Sequence, residues 1–183
     1  INIMSDKMIP VFEAVVFDLD GVITKTAVTH TAAWKNMFDE YLKKREGEHN
    51  EPFSEFTQAD YLAFVDGKPR YNGVASFLQS RGISLSWGTP EDSAESETVC
   101  GLGNRKNEAF NEALKRDGAE VYPSSKKLLF ELKETGVKLG VDSSSKNCKA
   151  VLAAVNLLHL FGARVDGVVF TELGLKGNPE PDI

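Results

Sequence analysis

The stretch VFEAVVFDLDGV, residues 11–22, decides how this chain is built. Its first seven residues are almost entirely apolar, which is typical of a central parallel strand that is buried on both faces. Asp18 and Asp20 follow this strand, and Gly21 comes directly after them. In an extended chain this spacing places both carboxylates on one face, where they emerge at the carboxyl edge of the sheet. The glycine allows the backbone to turn sharply there.

Two carboxylates in this position can divide a group-transfer reaction between them. One can attack an electrophile, while the other protonates the leaving group and later takes a proton from water. Aspartate and glycine are also common in solvated turns that follow a strand. The pattern alone therefore leaves a catalytic pair and an ordinary turn equally open.

The C-terminal part of the chain predicts the rest of the sheet. Apolar runs at 137–141 and 167–170 indicate two further strands, and helical patterns occupy 124–134 and 151–158. Helices that alternate with strands predict an α/β fold with a Rossmann-like parallel sheet.

The interval 26–118 breaks this alternation, because it contains four helical patterns and no convincing strand. We therefore expect an all-helical cap domain inserted after the first strand. The α/β core would then comprise residues 11–25 and 119–183. Two polar breaks in the cap, 45–52 and 84–96, are predicted to be loops.

Composition excludes several classes of protein. A chain of 183 residues with 42% hydrophobic and 26% charged residues is long enough to bury a core, and its net charge of −6 argues against nucleic acid or an anionic membrane as partner.

Cys100 and Cys148 lie far apart and have no metal-site spacing, which favours free thiols. Residues 1–10 do not have the pattern of a secretory signal. We expect a cytoplasmic monomer or weak dimer.

Beyond these patterns, the sequence resembles a known family. Residues 18–24, DLDGVIT, resemble the first motif of the haloacid dehalogenase superfamily, in the branch around beta-phosphoglucomutase. The resemblance continues in order along nearly the whole chain from Glu13. It includes Thr26, His30 and Trp34, the cap segments 66–70 and 105–107, the return to the core at 121–123, and the second catalytic motif at 143–147.

The resemblance implies a role for each residue of the catalytic motifs. Asp18 would attack phosphorus to form an aspartyl phosphate, with Asp20 as general acid and base. Ser143 would donate a hydrogen bond to a phosphoryl oxygen, although a serine in this run could instead cap a helix. Mg²⁺ would be held by Asp18 and by the backbone carbonyl of Asp20.

The resemblance also implies a set of residues that bind a small phosphorylated metabolite. Taken one at a time, the histidine could be a half-buried helix residue and the cations could be solvated surface charges. The implied substrate-binding residues are Thr26, His30, Arg70, Lys106, Ser144, Asn147 and Asn178.

Three features depart from the family pattern. Asn178 occupies the position of the phosphate-binding lysine of the third motif, and Lys176 is either its replacement or an ordinary surface lysine. Asp142 stands where the family has a small neutral residue, and strand alternation is expected to turn it away from Ser143. The chain stops at Ile183, before the acidic fourth motif, so we expect that it is truncated at its C-terminal end. Weak magnesium binding and slow turnover are expected as a result.

The implied activity is that of a magnesium-dependent phosphatase acting on a sugar phosphate or a similar metabolite. An intramolecular phosphomutase of the beta-phosphoglucomutase kind is the alternative, favoured by His30 and Lys106. A third hypothesis is a module that keeps the fold and binds a phosphorylated ligand without consuming it, because of Asn178 and Asp142.

Overall fold

The computed structural model describes residues 12–49 and 52–175. Within these ranges three parallel strands form one sheet in the order β1-β2-β3. The strands are β1 (Ala14–Asp18), β2 (Lys138–Ser143) and β3 (Ala163–Asp166). The α/β fold with a parallel sheet is therefore confirmed.

Helices make up most of the remaining described residues. The α-helices are α1 (Thr26–His49), α2 (Gln58–Asp60), α3 (Arg70–Ser80), α4 (Val99–Asp117), α5 (Pro123–Glu134), α6 (Cys148–Ala154) and α7 (Gly167–Leu173). A π-helical segment, Tyr61–Val65, continues α2. The described part of the interval 26–118 is helical with no strand, as predicted. No helix in the described ranges combines the length and apolar character needed to cross a membrane.

The first strand is less enclosed than its apolar sequence predicts. In the described part of the chain β1 pairs with β2 alone, so it lies at an edge of the sheet. Because side chains alternate along a strand, Phe17 packs into the core while Val16 points away from it and is 68% exposed. The prediction of a strand buried on both faces is thus wrong for the described residues.

The third strand lies four residues before its predicted position. The apolar run 167–170 begins α7, and β3 is formed by residues 163–166. The side chain of Asp166 accepts hydrogen bonds from the N–H groups of Val168 and Val169, which is the contact of a helix N-cap. This cap starts a helix where the apolar run alone predicted a strand.

Two apolar clusters lie on either side of the connection between the sheet and the helical interval. One packs β1 and β2 against α5 and α6, and includes Phe17, Leu129, Val141 and Leu152. The other joins the helices of the interval 26–118, with Phe38, Phe56, Phe77 and Leu102 at its centre. Helices α1 and α4 contribute to both, since Ala33 and Phe110 belong to the first cluster. The exact domain boundaries stay a prediction.

The predicted loops are partly helical. Helix α1 continues to His49 and so includes the first half of the break 45–52, whereas 84–96 is irregular as predicted. Residues 58–65 form a short α-helical turn followed by the π-helical segment. In that segment the N–H of Asp66 donates to the carbonyl of Tyr61 at 2.9 Å.

Candidate active site

The turn after β1 fixes the two aspartates. Leu19 and Ile23 are fully buried and anchor the turn on either side of Gly21, whose φ of +86° suits a residue without a Cβ. The N–H of Leu19 donates to Asp18 Oδ1 at 2.7 Å. The acidic residues are thus held at the carboxyl edge of the sheet, as the spacing predicts.

The carboxylate of Asp20 is the most heavily bonded group at this edge. Its Oδ1 accepts from the Thr26 hydroxyl, and its Oδ2 accepts from the Ser143 hydroxyl at 3.2 Å. Burial alone would raise the pKa of Asp20, but interactions with His30, Thr26 and Ser143 outweigh it and hold the pKa below its usual value. Asp20 is therefore ionised, the state in which a carboxylate accepts a proton.

Asp18 is in a different electrostatic environment. Burial raises its pKa to about 6, and the negative charges of Asp20 and Asp142 act in the same direction. Asp18 and Asp142 are paired in register on adjacent parallel strands and both line one cavity. Asp142 does alternate with Ser143, but this orientation brings it beside Asp18. The predicted alternation with Ser143 therefore holds, and it leaves the Asp142 carboxylate at the same cavity as Asp18.

Ser143 is 3% exposed and lies at the end of β2. Its hydroxyl oxygen accepts from the N–H of Ser145 at 3.1 Å while the hydroxyl donates to Asp20. Helix α6 begins later, with Asn147 at its N-cap. The helix-cap interpretation of Ser143 is therefore wrong, and its side chain belongs to the site.

His30 and Lys106 approach Asp20 from the helical side. Lys106 Nζ lies 2.6 Å from His30 Nδ1, and His30 Nε2 lies 3.5 Å from Asp20 Oδ1. Burial and the charge of Lys106 lower the pKa of His30, so the imidazole is neutral at pH 7. Because lysine N–H groups donate to Nδ1, this contact puts the ring proton on Nε2, which faces Asp20 but forms no hydrogen bond within the described residues.

Lys106 is 4% exposed, and its amine contacts aromatic rings but no carboxylate at ion-pair distance among the described residues. Its Nζ lies 4.8 Å from the ring centroid of Trp34 and 5.2 Å from that of Phe110, and Phe110 also stacks on His30. Burial, aided by the charge of Arg70, lowers the pKa of Lys106 to about 7. The amine is thus close to losing its proton at neutral pH.

A second group of polar residues connects the helical interval to the loop after β2. Arg70 Nη2 and Asn147 Nδ2 both donate to Asn107 Oδ1, at 2.7 and 2.9 Å. The Ser144 hydroxyl donates to the carbonyl of Gly67 at 2.8 Å.

A cavity of about 300 Å³ joins the two groups. Its core wall carries Asp18, Asp20, Asp142 and Ser143, and its cap wall, formed by the helical interval, carries cationic and aromatic side chains. The predicted residues His30, Arg70, Lys106, Ser144 and Asn147 all line it, whereas Thr26 acts from behind Asp20. The predictions for Lys176 and Asn178 lie outside the described residues.

Several cavity residues were missed at the sequence level. Lys146 lines the cavity and its Nζ lies 5.6 Å from the ring centroid of Tyr71. Its place between Ser144 and Asn147 in one short motif was the signal that could have identified it. Tyr61 also lines the cavity, and no local pattern indicates that the π-helical segment carries it there, whereas Asp66 lies in the cap segment 66–70.

The oxygen donors at the core wall fit magnesium. Mg²⁺ typically keeps several waters and uses one or two protein carboxylates together with a substrate phosphate. Asp18 and Asp142 supply two carboxylates at this wall, although no described group of three acidic, histidine or cysteine side chains is arranged as a complete metal site. The carboxylate of Asp20 is engaged elsewhere, which leaves its backbone carbonyl as the predicted donor.

Comparison with known proteins gives this geometry a family. A model of haloacid dehalogenase-like hydrolases matches residues 12–183. The chain belongs to this family. Its similarity also falls in the predicted branch: a beta-phosphoglucomutase of Mycobacterium bovis is 47% identical over 170 residues, and one of Bacillus subtilis is 30% identical over 172.

These matches cover 92% and 93% of this chain, but it spans only 65% and 66% of the length of the two relatives. Among solved structures, a beta-phosphoglucomutase of Clostridium difficile superposes with a TM-score of 0.68 at 23% identity, over 86% of this chain and 63% of that one. This last likeness supports the fold.

Proposed function

We propose that this chain carries the phosphoryl-transfer site of a magnesium-dependent phosphatase that acts on a small phosphorylated metabolite, a sugar phosphate in particular. The observation that carries the proposal is the pairing of two unlike aspartates at one cavity. Asp18 has one side open to the cavity, while Asp20 is held ionised by Thr26 and Ser143. An attacking carboxylate and a separate proton carrier are what phosphoryl transfer through a covalent intermediate requires.

The proposed reaction has two steps. Asp18 attacks phosphorus, the bond from phosphorus to the substrate oxygen breaks, and the departing oxygen takes a proton from Asp20. Asp20 then takes a proton from water, which attacks the aspartyl phosphate and releases inorganic phosphate and free Asp18. Because the contacts of Asp20 favour its ionised form, the second step suits it directly, and the first requires that it has been protonated beforehand.

Asp18 and the backbone carbonyl of Asp20 are the proposed magnesium-holding groups, with Asp142 beside them. Bound there, the ion would neutralise charge on the transferring phosphoryl group. His30 faces Asp20 Oδ1 with its Nε2 at 3.5 Å, close enough to engage that carboxylate after a small shift, and Lys106 fixes the tautomer of His30. Residues 26–118 are proposed to act as a lid that excludes water from the cavity.

The decisive experiment replaces Asp18 by asparagine and measures phosphate release from a panel of sugar phosphates. Turnover should fall below detection, because an amide is a poor nucleophile. Asp117→Asn is the matched control, since Asp117 pairs with Arg116 on the surface and should not affect turnover. Undiminished activity in Asp18→Asn would refute the assignment.

A phosphomutase is the second candidate. Cations and amides that line the cavity, Arg70 on the cap wall and Lys146 and Asn147 on the loop after β2, could bind a second anionic group of a substrate that reorients there. The relatives named beta-phosphoglucomutase favour the same activity. Beta-glucose 1-phosphate with a bisphosphate primer separates the candidates, because isomer formation without phosphate release indicates a mutase. A ligand that raises the melting temperature but is never consumed would instead indicate a binding module.

We propose the cytoplasm as the site of action, since Cys100 and Cys148 are both free and buried in the structure. A small metabolite is the proposed partner.

A further inference from the structure

Asn107 on α4 joins two parts of the molecule through a single oxygen atom. Its Oδ1 accepts from Arg70 Nη2 on α3 and from Asn147 Nδ2 on the loop after β2. Arginine is only a donor, so its contact identifies the accepting atom as the amide oxygen, and both lone pairs of that oxygen are then used.

The two donors are cavity residues, whereas Asn107 is not among the residues that line the cavity. Within residues 12–49 and 52–175, Arg70 has no carboxylate at ion-pair distance, and burial lowers its pKa. A largely buried guanidinium whose direct acceptor is a neutral amide lacks the partner that it binds most strongly, an anionic oxygen.

We propose that Asn107 is a latch: its Oδ1 takes the place of an oxygen of the ligand's anionic group, and the ligand displaces it. The bond to Asn147 connects the cap side to the core side, and the bond from Ser144 to the carbonyl of Gly67 closes a second point of the same opening. When an anion binds, Arg70 and Asn147 donate their hydrogen bonds to it instead of to Asn107. Closure of the lid over the ligand then no longer depends on Asn107.

The latch makes predictions of opposite sign for two substitutions. Asn107→Ala removes the competing acceptor, so an anion should bind about 5–10-fold more tightly. This is the effect expected when the ligand-free protein loses roughly one net hydrogen bond and the complex loses none. Asn107→Asp supplies a charged acceptor that holds Arg70 more strongly, and binding should weaken about 10-fold or more. A purely structural asparagine would weaken binding in both variants.

The test measures calorimetric affinities of the full chain for inorganic phosphate and for glucose 6-phosphate without metal, so that no turnover occurs. Asn104→Ala is the matched control on the same helix, because Asn104 contacts Tyr71 and the carbonyls of Pro90 and Asp92 instead of the core. Equal or weaker binding by Asn107→Ala, or unchanged binding by Asn107→Asp, would overturn the latch.

A distance measurement gives a second, independent readout. Nitroxides placed at Leu62 and Leu128, both exposed, would report the separation of the cap and core sides, and Cys100 and Cys148 are too buried to be labelled. Asn107→Ala should shift the ligand-free distribution towards longer distances, and an unchanged distribution would contradict the proposal. The latch rests on the proposed function only because it requires an anionic ligand. The predicted loss of turnover in Asp18→Asn and the predicted affinity changes in the Asn107 variants can therefore fail independently of each other.

Discussion

The two walls of the cavity carry opposite charges. The core wall presents carboxylates at the ends of two adjacent strands, where Asp18 and Asp142 stand side by side and raise each other's electrostatic energy. The cap wall presents cations from separate helices, and Lys106 is supported there by aromatic rings. Among the described residues, neither wall is electrostatically satisfied by itself. A phosphorylated ligand, with a metal ion, is the kind of partner that would satisfy both.

The strongest test of the core wall removes the proton carrier. Asp20→Ala should lower kcat for phosphate release by roughly 10²–10⁴, because general acid and base catalysis is typically worth that much. Rapid-quench measurement of phosphate release would detect the loss. A kcat within a few-fold of that of the unmodified protein would show that the two aspartates do not divide the work.

The matching test of the cap wall uses the buried amine. The pKa of Lys106 is lowered to about 7, whereas an unfolded lysine titrates at about 10.4. Between these values the unfolded state binds more protons than the folded state, so stability should rise as the pH increases from about 7 to about 10. Lys106→Met should flatten this rise and increase the free energy of unfolding at pH 7 by about 1–3 kcal/mol.

Urea unfolding at several pH values would measure this effect. Lys115→Met is the control, since Lys115 is exposed on the same helix. A variant that is less stable than the unmodified protein at pH 7 would mean that the aromatic contacts of Lys106 outweigh the cost of burying its charge.

A third prediction separates charge from geometry at the cap wall. Arg70→Lys keeps the positive charge but loses the planar fork that binds two oxygens together, so KM for a sugar phosphate should rise about 10-fold with a small change in kcat. Arg116→Lys, on the exposed surface, serves as the control. An unchanged KM would indicate that the cap wall acts through charge alone.

The smallest expected effect concerns the extra carboxylate. Asp142→Asn removes one negative charge beside Asp18, so the pKa of Asp18 should fall from about 6 towards its usual value. Because the attacking Asp18 must be ionised, the acidic limb of the kcat/KM profile should move to lower pH by less than about one unit. A limb that stays in place would show that Asp142 does not influence the nucleophile.

The core wall could be predicted from the sequence far better than the cap wall. Asp18 and Asp20 are separated by one residue, and the geometry of an extended chain alone places them together. The position of β3 was wrong because Asp166 caps a helix through its side chain, a contact that outweighs the apolar run after it. The side of β2 on which Asp142 lies was predicted correctly. Its neighbour, Asp18, depends on the register between β1 and β2, which the sequence of a single strand does not determine.

The cap wall depends on contacts between residues far apart in the chain. His30 and Lys106 were predicted through family resemblance, since nothing local shows that two residues 76 positions apart have side chains within 2.6 Å of each other. Asn107 was missed as a site residue for the same reason, whereas Lys146 stood inside the motif 143–147 and could have been identified there. Their roles depend on how α4 packs against α3 and how the loop after β2 faces the cap, and periodicity does not determine either.

The position of Lys106 over Trp34 gives the protein an optical reporter of its own cavity. The chain has two tryptophans: Trp34 is 5% exposed and lies 4.8 Å from the amine, while Trp87 is half exposed on a loop that does not line the cavity. A soluble quencher such as iodide would suppress the emission of Trp87 first. The remaining fluorescence then comes mainly from Trp34, and its intensity should follow both the protonation of Lys106 and the arrival of an anion, with no label attached.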